Sequence, residues 1–145
     1  IAIPGTVNQN KIIKSVNLGL KDYNIVDAIN KEINLPIKIR NDAKCAALAE
    51  NKYGALKKYN RILFMTLGTG IGGAVIINGN LLETGEYPGC EFGHMVIKEN
   101  GLKCNCGRKG CFEKYGSMRA FKDNLRNELW WKRINGNFKR HNKRK

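Results

Sequence analysis

The sequence predicts an α/β fold with a mixed sheet, because helical and strand-like patterns alternate along its 145 residues. Residues 61–67, RILFMTL, form a nearly continuous apolar run of strand length, which is typical of a strand buried on both faces. Residues 24–35 place Ile25, Ile29 and Ile33 four positions apart, as in an amphipathic helix. A hydrophobic content of 42% with 16 glycines favours a folded domain over a disordered chain.

The next two elements follow from local signals. Pro36 ends the first helix, and residues 37–40, IKIR, are predicted to form a short strand. Residues 41–56 are rich in Ala and Leu, and they predict a second helix with Asn41 or Asp42 as its N-cap.

The second half of the chain contains a hairpin signal and a long helical segment. Asn78 and Gly79 lie between two short apolar segments, which predicts a tight turn between two strands. Residues 94–98, HMVIK, are predicted to form another strand, and residues 112–129 are predicted to be mostly helical.

The positive charge is concentrated at the end of the chain. Of a net charge of +14, residues 130–145 contribute half, with seven Lys or Arg and no acid. Such a tail could bind nucleic acid or a membrane surface, or it could be out-of-frame translation. The abrupt change in composition favours the second explanation, so nucleic acid is not an expected partner. No apolar run is long enough for a membrane span, and without a signal-peptide core we expect a cytoplasmic protein.

Three of the five cysteines crowd into eight positions, Cys104-x-Cys106-x4-Cys111, with His94 upstream. This clustering favours a metal in a reducing compartment over a disulfide framework. A closed Cys3His shell leaves no position for a reactive water, so the pattern predicts structural zinc. The alternative is three thiols without a metal and a histidine in the core.

Two further groups have chemistry that depends on their neighbours. Gly68-Thr69-Gly70 follows an apolar strand, and its backbone amides could bind a phosphate. Taken alone, however, these residues are better explained as a tight connection between two strands. Asp42 could remove a proton from a substrate hydroxyl with Asn41 beside it, but an ordinary helix cap is the simpler explanation.

Two acids flank the cysteine cluster. Glu91 and Glu113 could accept hydrogen bonds from the vicinal hydroxyls of a sugar, and each taken alone could equally be a solvated surface residue.

Together these segments resemble the ROK family of repressors, open reading frames and sugar kinases. PGTV, NDAKCAALAE, TLGTGIGGAVIINGNLL, GCEFGHMVI and CNCGRKGCFEKYGS occur in the family's order and at about its spacing, over residues 1–120. The resemblance implies the actin-like ATPase (ribonuclease H-like) fold of hexokinases, with two α/β domains around a cleft. It also implies ATP- and Mg²⁺-dependent phosphorylation of a hexose or N-acetylhexosamine hydroxyl, often by dimers or tetramers.

The resemblance assigns roles to individual residues. Asp42 corresponds to the catalytic base, and the residues corresponding to the sugar site are Asn41, Glu91, His94, Glu113 and Gly5. The phosphate segment corresponds to Gly68, Thr69 and Gly70. The zinc ligands correspond to His94, Cys104, Cys106 and Cys111. A zinc-bound His94 would keep its other ring nitrogen protonated, and this nitrogen could donate to a sugar hydroxyl.

The resemblance also predicts an incomplete family fold. Residues 1–42 correspond to the remainder of the N-terminal domain. Residues 43–129 correspond to a linking helix and the first part of the C-terminal domain, with a zinc loop at residues 94–111. The family's Asp-x-Gly-Gly-Thr and adenosine segments have no match, so we expect impaired kinase activity. The alternatives are a fragment of a sugar-sensing repressor and a zinc-stapled basic module that binds nucleic acid.

Overall fold

The computed structural model describes residues 1–83 and 89–134, the last five of them by their backbone. The N-terminal part contains two small sheets. Strand β1 (Ala2–Ile3) pairs in parallel with β5 (Arg40–Asn41), and an antiparallel sheet is formed by β2 (Thr6–Val7), β3 (Ile12–Ser15) and β4 (Leu20–Tyr23). Helix α1 (Ile25–Asn30) follows, and the core of this part consists of Ile3, Ile12, Val26 and Ile39.

The central part is a helix packed on a meander. Helix α2 (Asp42–Lys52) contacts the antiparallel sheet of β6 (Arg61–Leu67), β7 (Ile71–Ile77) and β8 (Asn80–Leu81). All seven residues of β6 pair with β7, and the second buried cluster consists of Ala47, Ile62, Ala74 and Ile76. The two clusters fall on either side of residue 42, while the division into domains stays a prediction.

The last part carries the cysteines. A 3₁₀ helix (Phe92–His94) precedes an irregular loop, which is followed by α3 (Glu113–Gly116) and α4 (Met118–Ile134). Single bridges between Val96 and Cys111 and between Lys103 and Lys109 fold the loop back on itself. Within the described ranges, no helix has the length and apolar character needed to cross a bilayer.

Several predicted elements differ from the structure, among them the second helix, which ends at Lys52 and not at residue 56. Strand β6 buries one face only, because the side chains of Leu63 and Leu67 lie on the other face and are 65% and 60% exposed. Residues 94–98 contain the end of the 3₁₀ helix and a single bridge, not a strand. The first helix ends at Asn30, well before Pro36, and only Arg40 of residues 37–40 is in a strand.

The helix predicted over residues 112–129 is divided into two helices, and the second of them continues beyond residue 129. Ser117 has an extended backbone and divides it, and α4 continues to Ile134. The helix therefore enters the segment that was predicted to be a separate tail. The structure of residues 135–145 lies outside the described ranges.

Candidate functional site

The end of β5 joins three of the predicted site residues. Asn41 caps α2 by accepting a hydrogen bond from the Lys44 amide (3.2 Å), and its side-chain amide donates to the Gly5 carbonyl (3.0 Å). The Asp42 carboxylate accepts from the Ala43 amide (2.9 Å), and the residue is exposed. Strand pairing of β1 with β5 thus places the loop at Gly5 beside the Asn41-Asp42 pair.

Both the backbone conformation and the neighbouring atoms require a glycine at residue 5. Its φ is +124°, a conformation that residues with a side chain rarely adopt. An added Cβ would lie 2.5 Å from the Lys14 carbonyl oxygen and 2.9 Å from the Ser15 Cα. The loop can therefore cross β3 only with glycine at this position.

The four predicted zinc ligands converge. One ligand atom from each of His94, Cys104, Cys106 and Cys111 lies within 4.8 Å of all the others. The His94 Nδ1 lies 3.6 Å from the Cys104 Sγ, and the Cys106 and Cys111 sulfurs are also 3.6 Å apart. Tetrahedral zinc with Zn–S bonds of about 2.3 Å separates its sulfur ligands by about 3.8 Å. The cluster therefore fits a zinc ion with little movement.

Backbone hydrogen bonds and a glycine shape this ligand loop, residues 94–111. The Cys104 amide donates to the Arg108 carbonyl (2.8 Å), and the Gly107 amide donates to the Cys104 carbonyl (3.0 Å). Gly110 has a φ of +77°, and a Cβ there would collide with the Lys98 carbonyl oxygen. The Tyr115 hydroxyl accepts from the Leu102 amide (2.7 Å), which ties the loop to α3.

The thiols differ in acidity. Burial raises the pKa of Cys104 to about 12, and burial also raises the pKa of Cys111. Burial acts in the same direction on Cys106, but hydrogen bonds from the Arg108 backbone and side chain outweigh it and lower the Cys106 pKa to about 6. A metal must therefore displace protons from the two buried thiols, and it meets a more acidic thiol at Cys106.

Glu113 links the ligand cluster to the glycine turn. Its Oε1 accepts from the Cys104 thiol at 3.2 Å and lies 3.8 Å from the His94 Nδ1. A Cβ added to Gly70 would lie 2.8 Å from the Glu113 Oε2. Glu113 thus bridges the two groups, and any side chain at residue 70 would press on its carboxylate.

The pKa of Glu91 is affected by burial and by the charges of other predicted site residues. Burial raises its pKa, His94 and Lys44 lower it, and Glu113 and Asp42 raise it again. Glu91 itself is exposed, so solvent also reaches its carboxyl.

The glycine turn connects β6 and β7. The Gly68 amide donates to the Gly70 carbonyl (3.0 Å), and the Gly68 carbonyl accepts from the Met118 amide (3.0 Å). Thr69 at its tip is exposed. The geometry is that of a tight hairpin anchored to the start of α4, and the binding of a nucleotide phosphate there stays a prediction.

Sequence reasoning missed three residues of the site. Lys44 is buried, and its Nζ lies 3.8 Å from the Glu83 Oε1. Arg108 hydrogen-bonds Cys106, and Tyr115 holds the ligand loop. A lysine two residues after Asp42, among alanines, was the one available signal for Lys44. The sequence contains no comparable signal for Arg108 or Tyr115.

Comparison with known proteins identifies the family of the chain. The profile of the ROK family matches residues 1–143. The chain is 38% identical over 126 residues to the xylose repressor of Bacillus spizizenii, covering 86% of this chain and 33% of the repressor. It is 39% identical over 120 residues to the glucokinase of Halalkalibacterium halodurans, covering 81% of this chain and 36% of the glucokinase.

A solved structure extends the similarity to the fold. The ROK family glucokinase of Streptomyces griseus, in complex with glucose and AMPPNP, superposes with a TM-score of 0.81 at 30% identity. The match covers 92% of this chain and 43% of the glucokinase, and the fold is the actin-like ATPase fold of ROK sugar kinases. The chain spans about a third of the length of the curated relatives named above. By its profile match and by these similarities, the chain belongs to the ROK family.

Proposed function

We propose that the protein serves in the ATP-dependent phosphorylation of a hexose or N-acetylhexosamine hydroxyl, in the manner of a glucokinase. The observations that carry this proposal are two contacts among the predicted site residues: Asn41, beside Asp42, caps α2 and donates to the Gly5 carbonyl, and the Glu113 Oε1 lies 3.8 Å from the His94 Nδ1. The Asp42 carboxylate is exposed, so a substrate hydroxyl could reach it. The similarity to a glucokinase that binds glucose and AMPPNP adds support.

In the proposed reaction Asp42 is the general base. Its carboxylate takes the proton of the attacking hydroxyl while the hydroxyl oxygen forms a bond to the γ-phosphorus of ATP. The bond from that phosphorus to the β-γ bridging oxygen breaks, and the products are a sugar phosphate and ADP. The hydrogen bond from the Ala43 amide holds the carboxylate in place.

Sugar binding is proposed to use Asn41, Glu91, His94 and Glu113. Ionised glutamates accept hydrogen bonds from hydroxyls, and the Asn41 amide is already oriented by the Gly5 carbonyl. When zinc is bound by His94 and the three cysteines, it fixes the orientation of the imidazole. The His94 Nδ1 lies on the cysteine side, so the Nε2 is the nitrogen that remains for a sugar hydroxyl.

A sugar-sensing repressor is the second candidate, because the xylose repressor of Bacillus spizizenii is 38% identical to this chain. A sensor needs the sugar-binding residues but gains nothing from a base. The effect of removing the Asp42 carboxylate therefore separates the two functions.

The test measures sugar binding and phosphoryl transfer on the same protein. Calorimetry should detect binding of glucose or N-acetylmannosamine to the wild type and, with similar affinity, to the Asp42→Asn variant. With γ-labelled ATP at high protein concentration, we expect slow transfer that Asp42→Asn lowers by about 10²–10⁴-fold. Asp27→Asn, which alters an exposed aspartate in the first turn of α1, is the matched control.

Three results are informative. Loss of transfer in Asp42→Asn alone supports the kinase. Sugar binding with no transfer above the level of Asp42→Asn favours the repressor. Absence of binding to every hexose and N-acetylhexosamine tested would show that the proposed sugar site is wrong.

A further inference from the structure

Strand β6 is an edge strand of the meander. The sheet order is β6-β7-β8, and within residues 1–83 and 89–134 no strand pairs with the other side of β6. The N–H and C=O groups along such an edge can pair with another chain, and proteins usually prevent this with charges or proline. Strand β6 contains no proline, and its one charged residue, Arg61, is at its first position. The edge is therefore open to a further strand.

The backbone groups of β6 alternate between its two sides. The Asn78 amide donates to the Asn60 carbonyl at 2.7 Å, and the Gly68 amide donates to the Gly70 carbonyl at 3.0 Å. Because the register between β6 and β7 is unbroken from one of these pairs to the other, the even-numbered residues of β6 point their N–H and C=O groups at β7. The odd-numbered residues point theirs at the open edge. These edge-facing residues are Arg61, Leu63, Met65 and Leu67.

The edge-facing residues also carry exposed apolar side chains. Leu63, Met65 and Leu67 are exposed on the face opposite to the one that packs against α2. Helix α2 packs mainly on β7 and less on β6, so it leaves the edge accessible. A strand added at this edge would pair the backbone and cover part of this apolar surface.

The sequence of β6 is complementary to itself in one antiparallel register. With a two-fold axis at Phe64, Leu63 lies opposite Met65 of a second copy. Arg61 then lies opposite Leu67 of that copy, so no like charges face each other. In this register every edge-facing N–H and C=O of both copies is bonded, whereas a shift by two residues leaves some of them without a partner. Two-fold pairing is also the commonest symmetry of homo-oligomers.

We propose that the edge of β6 is an interface at which two copies of this chain join their meanders into one continuous antiparallel sheet. The interface contains no residue of the ligand cluster or of the proposed sugar site, so the proposal does not depend on the proposed kinase function. The net charge of +14 on each copy opposes association. Added salt screens this repulsion and should therefore strengthen the contact, whereas it would weaken binding to an anionic partner.

The test is sedimentation equilibrium of the full chain over a range of concentrations, with a reducing agent present so that cysteines cannot link the copies. We expect a reversible monomer–dimer equilibrium that shifts toward the dimer as NaCl is added. The variant Leu63→Lys, Met65→Lys sets lysine opposite lysine and should raise the dimer Kd by about tenfold or more. The matched control Ile33→Lys, Leu35→Lys replaces two exposed apolar residues at the same spacing outside the sheet and should leave the Kd unchanged.

A charge exchange tests the register itself. The variant Leu63→Glu, Met65→Glu should also be monomeric, but mixing it with the lysine variant should restore a dimer, because each lysine then faces a glutamate. Unfolded variants could not complement each other in this way, and thermal melting by circular dichroism confirms that each is folded. Hydrogen exchange gives a second readout, since the amides of the edge-facing residues should gain protection as the protein concentration rises.

Several outcomes overturn the inference. A monomer at every concentration and salt does so, and so does an equal effect of the edge and control variants. Failure of the two charged variants to associate would show that the proposed register is wrong. Protection of the edge-facing amides that is independent of concentration would mean that the edge is occupied within one chain. Dimers in which these amides stay unprotected would place the interface elsewhere on the protein.

Discussion

The meander β6–β8 and the ligand loop lie close together but are held by different forces. In the meander, Ile62, Ala74 and Ile76 are buried against α2, and β6 is hydrogen-bonded to β7 along its whole length. In the ligand loop, the apolar side chains of Met95, Val96, Ile97 and Leu102 are all more than 50% exposed. The buried side chains of the loop are those of Cys104 and Cys111.

Because of this difference, the stability of the meander and the stability of the ligand loop should respond differently to metal removal. Apolar burial stabilises the meander whether or not a metal is present. The ligand loop has few buried apolar groups, so metal–ligand bonds must offset the entropy cost of ordering it. Glu91, His94 and Glu113 border or belong to the second region, and we therefore expect the proposed sugar recognition to depend on the metal.

The largest expected effect is that of metal removal. Structural zinc sites contribute about 10–16 kcal/mol of apparent binding free energy, so a chelator should unfold the ligand loop. In hydrogen exchange, the amides of Ile97, Cys104 and Gly110, which donate within the loop, should lose their protection. The amides of β6 and β7 should keep theirs. Equal loss of protection in both regions would show that the meander also depends on the metal.

The second-largest effect is expected from a substitution that destabilises the meander and leaves the ligand loop unchanged. Ile76 is fully buried, and Ile76→Ala should cost about 2–5 kcal/mol in urea unfolding because it leaves a cavity. Its neighbour Ile77 is 43% exposed, and Ile77→Ala should cost less than about 1 kcal/mol. Zinc stoichiometry should remain at one per chain in both variants. A loss of zinc in Ile76→Ala would contradict the independence of the loop.

A third prediction compares two glycines within the loop. Gly110→Ala should weaken zinc binding by about 1–3 kcal/mol, because its φ is +77° and the new Cβ would meet the Lys98 carbonyl. Gly107 has a φ of +97° but no atom within 4 Å of a Cβ, so Gly107→Ala carries only the conformational cost of about 1 kcal/mol. Competition with a chromophoric chelator measures both affinities. Equal losses would mean that contact with Lys98 does not shape the loop.

The smallest effect is the pH dependence of sugar binding through Glu91. Burial raises the pKa of Glu91, so its carboxylate is protonated at a higher pH than an ordinary glutamate. A protonated carboxyl is a weaker acceptor for hydroxyls, and glucose affinity should fall as the pH is lowered through this raised pKa. Calorimetry at several pH values should show the fall in the wild type. In Glu91→Gln this pH-dependent step should be absent, and its persistence would assign the titration to another group.

Several features of the site were predictable because the sequence signal was local. Asn41 caps α2 as predicted, and the spacing of His94 and the three cysteines indicated a group that could hold a metal. The turn at Asn78-Gly79 connects β7 to β8, also as predicted. Each of these features is specified by a few neighbouring residues with a distinct chemistry.

Other features were not predictable because they depend on tertiary contacts. Strands β2, β3 and β4 have only two to four residues, too few for an apolar period to be recognised. Residues 94–98 are apolar but do not form a strand, since the bridge of Val96 to Cys111 is isolated. The burial of Lys44 beside Glu83 follows from the packing of α2 on the meander, which its own sequence does not reveal.

The most direct test of the central claim is glucose binding measured by calorimetry before and after zinc removal. We predict that a chelator abolishes the binding heat and that added Zn²⁺ restores it, because a metal bound by His94 and the three cysteines would hold the ligand loop in place. Hydrogen exchange on the same samples should show the meander intact throughout. Undiminished glucose affinity in the zinc-free protein would contradict the claim that the metal-held loop recognises the sugar.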